Sequence, residues 1–244
     1  MKNKNIIILT YPRTGGNLLD SLLLSNVYLN DQSIHYHPEF NVKTRGFSKT
    51  HWEKYISTNK KSNFLCRIHY PNKHFFSVKN SFFILLYRTD ILDWFLSKII
   101  AGRTGVFQYR NKHKIPDDIL VDPTENDIRR EITRLRDFSK FYKKNKEKID
   151  LIIDYDTHLK TDKCKFEFFK KSIFWQKEQI NYDNEFKKML ELATSGTSRN
   201  DNRPLLKYLS FEEKKKKILN WDEFISKFTK IAFDFGFSNL KFNL

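Results

Sequence analysis

The chain of 244 residues contains two cysteines, Cys66 and Cys164. Two thiols cannot build a disulfide framework, and neither stands at metal-ligand spacing, so a reducing compartment is the default. Long apolar runs are missing as well. The first ends after a few residues at Pro12, too short for a signal-peptide core or a membrane span, and none further on reaches membrane length. A cytoplasmic protein without a membrane span is expected. No internal repeat or low-complexity linker marks a boundary, so the expectation is a single domain over 1–244. Glycine is scarce too. Of seven in the chain, Gly15 and Gly16 stand side by side, shortly after a Pro-Arg pair.

Aromatic residues and positive charge are plentiful. With 23 Phe, 11 Tyr and 4 Trp, a chain that is 39% apolar still has large areas to bury, which is a globular composition. Lys and Arg outnumber Asp and Glu by 45 to 29, a formal charge of +16. Such a surface attracts anions: nucleic acid, anionic lipid, sulfated or carboxylated glycans, nucleotides. Charge selects a sign and not a partner, and a base-composition bias toward Lys, Asn, Ile and Phe would account for part of it. The run Lys214–Lys217 falls within a helical pattern and reads as a solvated face, because a nucleic-acid patch needs interleaved aromatics.

Four runs have the composition of strands buried on both faces: IIILT (6–10), NFLCRIHY (63–70), SFFILLYR (81–88) and IDLIIDY (149–155). Helical patterns separate and follow them. Leu18, Leu19, Leu22, Leu23 and Val27 form one stripe. Asp90 can cap ILDWFLSKIIA, with Gly102 as its terminator. Ile128, Ile132, Leu135, Phe138 and Tyr142 recur at helical spacing after Pro123–Thr124. This alternation predicts an α/β fold, a three-layer parallel sheet with helices on both faces, and a helical C-terminal part that includes FEEKKKKILNWDEFISKFTKIAFDFGF.

The paired glycines therefore fall in a turn between a buried strand and a helix that starts near Asn17. Ligands of parallel α/β sheets bind at the carboxyl ends of strands. A helix N-terminus there offers free amides and a positive dipole end, glycines let amides approach an anion, and Arg13 adds a full charge. An ordinary strand-to-helix turn would also use glycine, but the coincidence of these features favours a phosphate-type cradle. The loop lacks the G-x-x-x-x-G-K-[ST] pattern, having neither the lysine nor the hydroxyl that would hold magnesium. Nothing in the sequence calls for a metal.

YPRTGGNLL resembles the 5′-phosphosulfate loop of sulfotransferases, Tyr-Pro-Lys/Arg-Ser/Thr-Gly followed by a helix. Three further segments agree in order. CRIHYP (66–71) is similar to the strand ending Lys-Thr-His-x-Pro, FILLYRTDILDWFLSK (83–98) to the 3′-phosphate strand-loop-helix, and DLIIDYDTHLKTD (150–162) to a later strand ending Tyr-Glu-Asp-Leu. Together they cover roughly the first two-thirds of the chain.

The resemblance implies a P-loop-like sulfotransferase architecture and 3′-phosphoadenosine 5′-phosphosulfate as donor, with adenosine 3′,5′-bisphosphate as product. Arg13, Thr14, Gly15, Gly16, Asn17 and Leu18 would form the donor loop, with Arg13 neutralising the departing phosphate. Arg88 and Ser97 would bind the 3′-phosphate. Arg199, ahead of Arg203, would close over it from SGTSRNDNRPLLKY (195–208). His69 is the candidate general base, since imidazole titrates near neutrality, and Arg67 shares its strand face and could assist. Glu39 is the alternative base. His35 and His37 would line the acceptor pocket, or sit in an exposed loop. The acceptor would carry a hydroxyl, as in an anionic glycan or another small molecule.

The chain also departs from the family. Gly16, Asn17 and Leu18 stand where cytosolic members have two hydroxyl residues and an adenine-stacking Trp, a role left to Trp52 or another aromatic. Ser97 lies one residue further from Arg88 than usual. Two other classes compete: a non-catalytic, basic nucleic-acid-binding protein, which the sequence disfavours, and a divergent P-loop kinase with Asp154 or Asp156 as the acidic ligand.

Overall fold

A computed structural model describes residues 5–29, 35–41, 54, 57, 64–69, 71, 73–105, 119–172, 182–195, 209–242 and 244. The elements in chain order are β1 (Asn5–Thr10), α1 (Gly16–Leu29), β2 (His35–Asn41), β3 (Phe64–His69), β4 (Ser81–Tyr87), α2 (Ile91–Thr104), α3 (Glu125–Asn145), β5 (Leu151–Asp154), α4 (Tyr155–His158), α5 (Asp162–Lys171), α6 (Tyr182–Ser195), α7 (Phe211–Lys216) and α8 (Trp221–Asp234). They pack as two compact units, 1–87 with 144–205 and 88–143 with 206–244.

The first unit is built on a five-stranded sheet of order β2-β3-β1-β4-β5, parallel throughout. The four apolar runs are all strands. The fifth, β2, follows from no hydrophobic pattern: HYHPEFN carries a proline, and its pairing slips between His37 and Phe40. A bulged edge strand is the setting that tolerates such a residue. One face of the sheet, with Ile6, Ile8, Leu65, Ile84 and Leu86, packs with Leu19, Leu22 and Leu23 of α1 and Phe186 and Met189 of α6. Ile7, Leu9 and Leu85, which alternate to the other face, are fully buried too. There the Phe76 ring lies 4.9 Å from that of Phe83. Cys66 is sealed in this core. Burial, then the Asp20 charge, pushes its thiol well up, so it is not a nucleophile.

The second unit is helical. Asp90 caps α2 by accepting from the Asp93 amide at 2.8 Å, as expected, but the helix continues through Gly102 and ends at Gly105, whose φ of 71° is the left-handed cap. Thr124 and Asp127 exchange two hydrogen bonds at the start of α3, each 3.1 Å, because a side chain three residues on can reach back to the cap. Ser210 and Glu213 do the same for α7. The long C-terminal pattern breaks between α7 and α8, where Ile218 bridges to Val121 and Asn220 is left-handed at φ 50°. Phe95 of α2 packs on Phe228 of α8 at 5.0 Å between ring centres.

The expected solvated lysine face needs correcting. Lys214 and Lys217 are 6% and 8% exposed. No helix among the described residues is long and apolar enough to cross a membrane.

Candidate functional site

β1 is the central strand, and its carboxyl end lies beside that of β4. From β1 the chain leads to β2 on one side of the sheet; from β4 it leads to β5 on the other. The crevice between such strand ends is where open α/β sheets bind ligands. The Thr10 hydroxyl ties the two ends together by donating to the Leu86 carbonyl at 2.8 Å.

The turn after Thr10 is closed from within. The buried Thr14 hydroxyl is 2.9 Å from the Tyr11 carbonyl and 2.5 Å from the Thr10 hydroxyl. It therefore shapes the loop, and the donors left at the rim are backbone amides. The Leu19 amide makes the first helical bond, to the Gly15 carbonyl at 3.0 Å. The amides of Gly16, Asn17 and Leu18 thus have no intrahelical acceptor, and the positive dipole end lies with them.

Both glycines have a packing reason. A Cβ on Gly15, whose φ is +86°, would lie 2.2 Å from the Tyr155 ring. One on Gly16 would lie 2.5 Å from Cδ of Arg67. Tyr155, which no sequence argument singled out, is thus laid against the loop. It comes from the turn after β5, where the Asp154 carboxylate accepts from the Asp156 amide at 3.1 Å and the Thr157 hydroxyl at 2.6 Å. That capping engages both Asp154 oxygens, which sets aside its use as a kinase's acidic ligand.

Arg67 is buried under the turn. It donates to Asp20 at 2.8 Å and to the Asn17 side-chain carbonyl at 2.7 Å. It does share a face with His69, and that face is the one under α1. Its guanidinium braces the first turn of the helix. His69 ends β3 opposite Thr10 and is 8% exposed. Arg13 itself sits at φ 70°, a left-handed conformation that costs a residue with a Cβ roughly 1–2 kcal/mol.

In the second unit, Arg88 pairs with Asp93, and the same carboxylate receives Lys214 at 2.5 Å. All three side chains are less than a tenth exposed. Burial by itself would push the Asp93 carboxyl up; the Arg88 and Lys214 charges and their hydrogen bonds outweigh it and hold the carboxyl below its usual range. The Ser97 hydroxyl donates to the Asp93 carbonyl at 2.9 Å. Lys214 was hidden in its four-lysine run. The usable signal was the Ser210–Glu213 capping box, which fixes where the helix begins and which lysines share a face.

Leu18 is partly buried against the sheet core. His35, His37 and Glu39 fall on β2, with side chains outside the described residues, as are Trp52, Arg199 and Arg203. Among the described residues, no group of three His, Cys, Asp or Glu could hold a metal ion. No protein-family model matches the sequence, and no curated protein matches it as a relative.

Proposed function

We propose that the chain is a sulfotransferase of P-loop-like architecture. In this reading it moves a sulfuryl group from 3′-phosphoadenosine 5′-phosphosulfate to an acceptor hydroxyl and releases adenosine 3′,5′-bisphosphate. The observation that carries the reading is Arg13: a cation held at positive φ, in a turn whose neighbouring amides lack acceptors, at the end of the central strand. A residue kept in a costly conformation points to use of its side chain.

His69 takes the proton of the acceptor hydroxyl as the oxygen attacks sulfur, with Glu39 as the alternative base. The sulfur–oxygen bond to the 5′-phosphate breaks, and its electron pair leaves on that phosphate. Arg13 and the amides of Gly16 and Asn17 stabilise the charge that develops there. Arg88 holds the 3′-phosphate, with Ser97 and Arg199 beside it. Arg67 acts indirectly, by fixing the turn that presents these donors. The high positive charge suits an anionic acceptor.

Calorimetric titration with adenosine 3′,5′-bisphosphate, without magnesium, tests the donor site. Micromolar binding is expected, with ADP and AMP weaker, and Arg13→Ala and Arg88→Ala each losing about tenfold or more. Equal affinity for the three nucleotides would overturn the reading.

A further inference from the structure

A different part of the second unit carries an anion site of its own, independent of the reading above. A concavity of about 250 Å³ opens between the C-terminal half of α3 and the turn that follows α8. Arg136, Lys140 and Lys143 reach it from α3, and Lys241 flanks it from the chain terminus. Positions i, i+4 and i+7 share one helix face, so the three α3 cations spread over about 10 Å along the axis. The hydroxyls of Ser139 and Ser238 also line it, and no carboxylate does.

The N-terminal half of the same helix is arranged differently. There Arg129 pairs with Glu125 at 2.7 Å, Arg130 with Asp127 at 2.9 Å and Arg134 with Glu131 at 2.5 Å. Among the described residues, none of the four cations around the concavity has a carboxylate partner, and neither serine hydroxyl has an acceptor. Four like charges converging from two elements repel one another until an anion joins them.

The walls are rigid. Gly236 and Phe237 end α8 with amide bonds to the carbonyls of Phe233 at 2.8 Å and Ala232 at 2.9 Å, the paired bonds of a left-handed helix stop. Beneath, the Phe242 ring packs 5.9 Å from Phe237 and 6.3 Å from Phe138 of α3. The Lys241 backbone is bridged to Asp90.

The aromatic residues also indicate which anion fits. Arg136 already covers the Phe235 ring at 4.9 Å, and Phe237 is buried, so no open ring face is offered to a nucleobase. The volume falls below the roughly 300–1,000 Å³ of drug-sized pockets. We infer that this concavity binds a compact polyanion, a sugar-sized molecule bearing two or more phosphate or sulfate ester groups.

Full-length protein titrated with inositol hexakisphosphate and with a heparin-derived sulfated disaccharide tests this. One of the two should bind saturably, and whichever is tighter names the ester. Lys140→Glu with Lys143→Glu should weaken it about tenfold or more. Lys163→Glu with Lys187→Glu, an equal charge change at exposed positions elsewhere, should not, and neither should Arg13→Ala. Equal loss in both pairs, or no saturable binding, would overturn the inference. A single-stranded oligonucleotide bound more tightly than either probe, and weakened by the Lys140/Lys143 pair, would overturn it in favour of nucleic acid.

Discussion

Two regions bury an arginine against an aspartate, and they balance charge differently. Under the glycine turn, one guanidinium meets one carboxylate, and the second donor of Arg67 goes to the neutral Asn17. Past β4, two buried cations share the single carboxylate of Asp93, which leaves a net charge of +1 in place. The first arrangement is neutral and fixes shape: it holds the helix start against a glycine that makes room for it. The second is under-neutralised and holds excess positive charge ready. A phosphate-binding protein needs both, a cradle of fixed geometry and a cation that is not fully quenched.

The comparison breaks most severely at Asp93. Asp93→Asn leaves two buried cations without their counter-charge and should cost about 3–5 kcal/mol of stability by urea unfolding. Asp20→Asn strands one cation and should fall at the lower end of that range. Because the Asp93 carboxyl titrates below its unfolded value, its contribution is complete above that value, near pH 4, and fades as pH falls through the lowered one. Unfolding free energies measured from pH 5 downward should therefore decline in the wild type, and Asp93→Asn should lack that part of the slope. Parallel profiles would sink the assignment of Asp93 as the ionised partner.

The glycines separate packing from backbone strain. Gly15→Ala meets both the Tyr155 ring and a left-handed φ, whereas Gly16→Ala meets only the Arg67 side chain. Gly15→Ala should cost roughly 2–3 kcal/mol. Tyr155→Ala in the same chain should recover only the packing share, so the double mutant falls short of additivity by about 1 kcal/mol. Additive losses would mean that the ring does not confine the loop.

Much of this was legible before any coordinates. The four buried strands announced themselves as continuous apolar runs, and the Asp90 cap as a helix start. The glycine turn was legible as a strand-to-helix junction, though not the rings and guanidinium that make both glycines necessary, since Tyr155 and Arg67 reach it from β5 and β3. Proline and a slipped register hid β2, because period-two alternation fails at a bulge. Lys214 was misread because charge counts along a sequence show a run, while burial depends on the helix face that meets Asp93. In each case the missed fact is a contact between residues far apart in the chain.

The smallest stability effect carries the sharpest test. Glycine at position 13 would relieve the left-handed strain of about 1–2 kcal/mol but add unfolded-state entropy of about 0.4–1 kcal/mol. Arg13→Gly should therefore leave the unfolding free energy unchanged or raise it by up to about 1 kcal/mol, while weakening adenosine 3′,5′-bisphosphate at least as much as Arg13→Ala does. Gly15→Ala would show the opposite pattern, with stability lost first. If Arg13→Gly instead destabilises the fold, the guanidinium is a structural brace like Arg67, the two regions no longer divide into shape and charge, and the turn loses its claim to be the donor site. A variant no less stable than its parent and yet unable to bind identifies a residue held for its charge.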